Sequence, residues 1–286
     1  MNEVKSKVAI GRYNTLKVKR SVDFGVFLDD GEGNDILMPQ KYVADNVQIG
    51  DMVDVFVYAD SEDRLVATTE TPRAQVGEFA FLPVKAISRF GAFLDWGLTK
   101  DLLVPYGEQR DRMEMDKSYV VYLYLDKNTK RIAASEKLNK YLDNIAPRYE
   151  VGDEVDVMIF DVTDLGYKAI INNTHSGIIY RSEAYKVLRV GDKMKAYVKK
   201  VREDDKIDLS LQKLGFGKVG SLREVIIQKL KENGGRMAVG DKTDPETIML
   251  AFGCSKKAFK MAIGSMYKEG AISISPDGIK LLRKEE

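Results

Sequence analysis

The 286-residue chain contains one cysteine, one histidine, one tryptophan and seven prolines. The single cysteine, Cys254, excludes an intramolecular disulfide and any zinc site made of several thiolates. With no histidine beside it in sequence, a buried or inert thiol is expected rather than a nucleophile. The single histidine, His175, leaves no cluster for a metal and no second imidazole for an acid–base relay. It lies in the polar run Asn172–Gly177, where an exposed turn residue is expected. There is no Gly-Lys-Ser/Thr phosphate loop and no Gly-x-Ser-x-Gly elbow. No apolar run approaches the ~18–20 residues of a membrane span. The charged start, Met1–Lys5, is unlike a signal peptide, so a soluble, cytoplasmic protein is expected. Neither sign of charge dominates: 45 Lys and Arg face 44 Asp and Glu, which excludes a polybasic coat but not a local basic face. Carboxylates are plentiful enough that composition alone does not exclude a carboxylate hydrolase. Hydrophobic residues at 44% suffice for packed cores.

What the chain does have is a repeat. Val18–Asp29, Val84–Asp95 and Ile159–Ile170 align, with glycines at Gly25, Gly91 and Gly166. A second marker follows: Gly50-Asp51-Met52-Val53, then Met115-Asp116-Lys117-Ser118, then Gly191-Asp192-Lys193-Met194. A third closes each copy: Arg64–Thr68, Arg131–Ser135 and Lys206–Ser210. Between the markers lie short aromatic and β-branched runs such as Val55-Phe56-Val57-Tyr58, separated by turn residues. Each copy predicts about five short strands, and so small a sheet loses its edges by closing. A five-stranded barrel of the oligonucleotide-binding type follows. The repeat glycine then marks a bend or a close backbone approach.

The tail has a helical period. Ser221 with Glu224 reads as a capping box opening a helix that ends at Asn233-Gly234-Gly235. Asp244-Pro245-Glu246 opens a second helix, closed by Gly253, and Ser255 caps a third that runs to Tyr267. Two strands follow, Ala271–Ile274 and Ile279–Leu282, around the turn Ser275–Gly278. The fold class expected is mainly β with an α+β tail: three tandem S1-like OB barrels followed by a winged-helix domain. The bounds expected are 1–72, 75–142, 148–214 and 217–284.

Phe-Gly-x-Phe, then Gly-Asp-x-Val, then Asp-x-x-x-Arg before a strand ending in Ser or Thr resembles the S1-like RNA-binding domain. That resemblance implies stacking by the two aromatics, a polar ring twelve positions past the second, and an acidic residue with an arginine four positions on. Copy one offers Phe24, Phe27, Asp60 and Arg64, with Pro39 at the ring position. Copy two offers Phe90, Phe93 and Arg131, with Pro105 at the ring position and Lys127 at the acidic one; Lys85 and Arg89 add charge. Copy three replaces the aromatics by Leu165 and Lys168 yet keeps a ring, Tyr180, with Arg202 and Lys206. Exposed rings stack on bases at ~1–3 kcal/mol each and cations hold phosphates. Residues three apart on an ideal strand face opposite sides, so one phenylalanine of each pair belongs to the core unless a bulge intervenes. Both readings stand at this point, and whether copy three binds or only spaces its neighbours is open.

The third helix of the tail carries Lys256, Lys257, Lys260 and Lys268, where winged helices commonly enter a nucleic-acid groove. The alternative is a solvated face of an amphipathic helix. Residues 217–286 hold 13 basic and 9 acidic residues, whereas residues 1–74 hold 9 and 13, so the tail is net basic and the first copy net acidic. In module order and length the chain resembles the conserved virulence factor B family of bacterial RNA-binding regulators. The resemblance implies a cytoplasmic, non-catalytic protein that binds single-stranded RNA and acts after transcription. Candidate further partners are the ribosome or RNA-processing machinery, with no cofactor, metal or membrane. The rival readings are a winged-helix DNA-binding regulator and a protein-interaction scaffold; a nuclease has no stretch left for a catalytic core.

Overall fold

The computed structural model describes residues 8–143, 145, 147–184, 186–212 and 219–282, with side chains in the last stretch from Leu222 onward. Two compact units result, Met1–Leu142 and Asp143–Glu286, each described by itself below.

The first unit holds two closed barrels. Barrel 1 is built from β1 (Tyr13–Val22), β2 (Gly25–Asp29), β3 (Asp35–Pro39), β4 (Met52–Ala59) and β5 (Leu65–Thr68), joined in the order β1-β2-β3-β5-β4. Barrel 2 repeats that order with β6 (Phe79–Ile87), β7 (Gly91–Leu94), β8 (Leu102–Pro105), β9 (Ser118–Leu125) and β10 (Ile132–Ser135). Alternation decides which side chains go inside. On β2 and β7, Val26, Leu28, Ala92 and Leu94 are buried while Phe27 and Phe93 face outward. The first strand of each barrel carries a register shift, at Val18/Arg20 and at Val84/Ala86. The extra residue, Lys19 or Lys85, bends the strand and lets so short a sheet close.

The repeat glycines are explained by close approach. Gly25 pairs with Pro39 and Gly91 with Pro105 across the hairpin. A Cβ would stand 2.2 Å from the Met38 carbonyl oxygen or 2.1 Å from that of Val104. Both obstacles are backbone, so no side chain can yield instead.

The two barrels share one core. Phe56, Tyr58 and Val66 of barrel 1 pack in the same buried cluster as Leu94, Trp96 and Leu102 of barrel 2. Phe56 meets Trp96 edge-on at 5.7 Å between centroids, and the indole N–H donates to the Lys100 carbonyl at 2.5 Å. Lys100 in turn donates through Nζ to the carbonyls of Ala59 and Asp60 at 2.7 and 2.8 Å. Burial lowers the Lys100 pKa, although Asp60 and Asp63 oppose the shift. Arg131 bonds Asp63 across the seam, Nη2 to Oδ2 at 2.7 Å. Both partners of that pair are about half exposed, at 52% and 54%. Such pairs contribute little beside an apolar seam. Asp63→Ala is therefore expected to leave the melting temperature of this unit within about 2 °C. Thermal denaturation followed by circular dichroism checks it, and a drop of 5 °C or more would mean that the ion pair carries the seam.

The second unit opens with barrel 3, formed by β11 (Glu154–Val162), β12 (Gly166–Ile171), β13 (His175–Tyr180), β14 (Lys193–Val201) and β15 (Ile207–Ser210) in the same order. The divergent third copy is thus a full barrel. Its register shift, at Ile159/Asp161, and its glycine, whose Cβ would stand 2.2 Å from the Ile179 carbonyl, repeat those of the other two. His175 departs from the expected exposed turn: it opens β13, half-buried, with Nδ1 2.9 Å from the Tyr149 hydroxyl.

Then come α1 (Val219–Glu232), β16 (Arg236–Met237), α2 (Pro245–Phe252), α3 (Lys256–Lys268), β17 (Ile272–Ser275) and β18 (Gly278–Leu281). The strands form a sheet in the order β16-β18-β17, which completes a winged helix. β16 is only two residues long, too short for any periodic signal. α1 begins at Val219, ahead of the expected cap at Ser221, so the capping box expected there is displaced; the side chain of Ser221 lies outside the described residues. The other caps are as expected. Asp244 accepts from the Thr247 N–H, Ser255 from the Ala258 N–H, and Gly253 ends α2 in the left-handed conformation at φ 64°. Phe259, Ala262, Ile263 and Met266 bury one face of α3 against Ile226, Leu230 and Ile248. Burial pushes the Cys254 thiol up to about 11, so it is protonated at neutral pH. Among the described residues no helix is long and apolar enough to cross a membrane.

Candidate nucleic-acid interface

Phe24 and Phe90 lie between strands, in the turns β1–β2 and β6–β7, and are 60% and 59% exposed. The alternation that would have buried one ring of each pair does not reach them, because they stand outside the ladder. Phe27 and Phe93 are half-buried on the outer face, so none of the four rings belongs to a barrel core. The core alternative for these residues is overturned. In barrel 1 the two rings meet edge-on at 6.3 Å between centroids. Arg20, which pairs with Phe27 across β1–β2, lies 3.8 Å over the Phe27 ring and is anchored to Asp35. In barrel 2 the residue opposite Phe93 is Ala86, and Arg89 lies 4.7 Å over Phe90 instead.

The acidic–arginine pair has a different position from the one the motif implies. Asp60 locks the β4–β5 turn: Oδ1 accepts from the N–H groups of Glu62 and Arg64, and Oδ2 accepts from the Arg64 guanidinium at 2.8 Å. Burial acts to raise the Asp60 pKa, but the Arg64 side chain and these N–H groups hold it below the usual carboxylate range. Phe27, Leu37 and Val66 are level across β2, β3 and β5. That register places Phe24 near one end of the face and Arg64 near the other. In barrel 2 the equivalent turn is one residue longer, and Asp126, not Lys127, fills the acidic position. Its N–H bonds the Arg131 carbonyl as Asp60 bonds that of Arg64, and its Oδ1 accepts from Asn128 and Thr129. Arg131 itself is committed to Asp63.

Barrel 3 is neutralised. Tyr180 pairs with Gly166, as Pro39 and Pro105 pair with their glycines. Its hydroxyl accepts from Arg202 and stands 3.3 Å from Asp208 Oδ1. Asp208, 9% exposed, binds Arg202 through Nη2 at 2.8 Å and occupies the row position of Val66 and Ala133. Lys206 pairs with Asp204, Lys168 with Asp161 and, in barrel 2, Lys85 with Asp101. The sequence-level candidates Arg64, Lys85, Arg131, Arg202 and Lys206 are therefore all engaged with carboxylates.

Two residues escaped the motif. Tyr106, next to Pro105, donates its hydroxyl to the Ser88 carbonyl at 2.7 Å, and its N–H bonds the Phe90 carbonyl at 3.2 Å. Arg112 lies 3.7 Å over the Tyr106 ring. On the winged helix, Lys257, Lys260 and Lys268 are exposed on the face of α3 away from the core, without an ion pair to a described residue, and Lys256 is half-buried. Gly264 lies between them with open space where a side chain would stand. No group of three or more His, Cys, Asp or Glu among the described residues could hold a metal.

Three closed five-stranded barrels, the first two with outward aromatic hairpins, followed by a winged helix, define a nucleic-acid-binding protein of the S1 type. The S1 domain family matches residues 10–70 and 76–136, and the CvfB-like winged helix domain matches residues 224–281. The Bacillus subtilis protein YitL is 30% identical over 92% of this chain and 90% of its own. Conserved virulence factor B of Staphylococcus epidermidis is 24% identical over 97% of this chain and 96% of that protein. A Streptococcus pneumoniae crystal structure, described as a multidomain protein with nucleic acid binding domains, aligns over 96% of this chain and 98% of that one. It shares 24% identity and has a TM-score of 0.42. The chain belongs to the conserved virulence factor B family.

Proposed function

We propose that the protein binds single-stranded RNA through the hairpin faces of barrels 1 and 2, without catalysis, and acts on gene expression after transcription in the bacterial cytoplasm. The observation that carries this reading is the placement of Phe24 and Phe90 in equivalent turns, each about three-fifths exposed. Water-facing aromatics on a small barrel suit unpaired bases, whose faces a duplex keeps stacked away. Several modest sites on one chain add up on one strand, because each contact raises the local concentration for the next. Sequence preference is then slight, since every base has a stacking face.

Fluorescence anisotropy of a labelled unstructured RNA, titrated at two salt concentrations with duplex DNA as competitor, tests the reading. Affinity is expected to fall as salt rises, with a log–log slope of about −0.7 per phosphate neutralised. Duplex DNA is expected to compete poorly. Preferred binding of duplex DNA would move the function to the lysine face of α3, and no binding of either would favour a protein partner.

A further inference from the structure

We propose that barrel 2 is the principal RNA site of the chain and that Arg112, stacked on Tyr106, is its phosphate-holding cation; this rests on the single-stranded RNA reading above. The arginines that the S1 motif singles out are occupied. Arg64 bonds Asp60 and Glu62, Arg131 bonds Asp63, and Arg202 bonds Asp208. Arg20, which covers Phe27, is held by Asp35. A guanidinium already matched to a carboxylate must exchange that partner for a phosphate, so its contribution to anion binding is small.

Arg112 differs on each count. It is exposed, has no carboxylate partner among the described residues, and lies 3.7 Å over an aromatic ring. That ring is tied to the Phe90 turn by the Tyr106 hydroxyl on the Ser88 carbonyl and by the Tyr106 N–H on the Phe90 carbonyl. The loop bearing Arg112 is fixed from beneath. Buried Gln109 donates to the Val104 carbonyl at 3.0 Å and accepts from the Met113 N–H at 3.2 Å. Two stacked cation–ring pairs, Arg89 on Phe90 and Arg112 on Tyr106, therefore flank one hairpin. Such planes suit a base, and the outer N–H groups suit the phosphates on either side of it. In barrel 1 the place of Tyr106 is taken by Gln40, whose N–H bonds the Phe24 carbonyl. The cation–ring pair of that turn is Lys41 over Tyr42 at 4.4 Å, an ammonium without the planar fork of a guanidinium. In barrel 3 the row centre is the Asp208 carboxylate, matched by Arg202, so neither group is left to take a phosphate.

The test uses the full chain and unstructured RNA of one length, comparing Arg112→Ala, Arg112→Lys, Arg64→Ala and Phe90→Ala. Arg112→Ala is expected to weaken binding about tenfold and to reduce the salt slope by about 0.7. Arg112→Lys should keep the slope but recover only part of the affinity, since a lysine lacks the planar fork. Arg64→Ala should change affinity less than twofold. Loss on Phe90→Ala with none on Arg112→Ala would overturn this assignment alone. Indifference to both, or an Arg64 effect larger than that of Arg112, would place the site elsewhere, and absence of any RNA binding by the parent chain would overturn the reading it rests on. Arg112 is a surface residue, so unchanged circular dichroism is expected for its variants.

Discussion

The double variant Phe24→Ala/Phe90→Ala is expected to bind unstructured RNA about a hundredfold more weakly than the parent chain, with its fold intact. The estimate follows from loss of a stacked base at ~1–3 kcal/mol per ring. Each single variant should weaken binding about tenfold, Phe90→Ala the more strongly. Both rings are about three-fifths exposed and absent from the barrel cores, so their removal opens no cavity. Surface substitutions of that kind usually change stability by less than about 0.5 kcal/mol. If one strand spans both hairpins, the losses add; if each RNA molecule uses one hairpin, the double variant should be little worse than Phe90→Ala. Titration of the four proteins decides between these outcomes, and affinity unchanged in the double variant refutes base stacking at the hairpins.

The largest loss of stability is expected from Trp96→Ala. The indole is 2% exposed, packs on Phe56 and sits in the cluster common to barrels 1 and 2. Truncating a buried aromatic of this size costs about 3–5 kcal/mol, partly through the cavity left behind. For a unit of this length that corresponds to a fall in melting temperature of roughly 10 °C. Trp96 is also the only tryptophan of the chain, so its fluorescence in the parent protein reports on this seam without interference. The parent should show one fluorescence transition that coincides with the melting of both barrels in calorimetry. A shift under about 3 °C in the variant, or separate transitions for barrels 1 and 2 in the parent, would show that the shared core does not unite them.

The architecture was legible in the sequence because the repeat glycines answer a backbone constraint. Gly25, Gly91 and Gly166 each face a carbonyl oxygen too near for a Cβ, and no change elsewhere in the chain relieves that. The caps of α2 and α3 were legible for a similar reason: Asp244, Gly253 and Ser255 act within a turn of their own position. The orientation of Phe24 and Phe90 is not fixed by strand alternation, which has no force across a turn. The extra residue in the second β4–β5-type turn hid Asp126 behind Lys127. The ion pairs that engage Arg131 and Arg202 depend on Asp63 and Asp208, and only the folded registers bring those together. Tyr106 and Arg112 carried no signal, since neither falls at a motif position. The seam at Trp96 was likewise hidden, because a contact between repeats has no period within one.

The common core of the first two barrels bears on what length of RNA the protein would favour. Two stacking hairpins on separate, loosely tethered barrels would accommodate any spacing at a gradual entropic cost. Hairpins on one solid body instead stand a set distance apart, like the jaws of a caliper. An unpaired stretch too short to reach from Phe24 to Phe90 would gain the first grip and forfeit the second outright. Affinity plotted against RNA length would then rise in a step, and the position of that step would measure the jaw spacing in nucleotides.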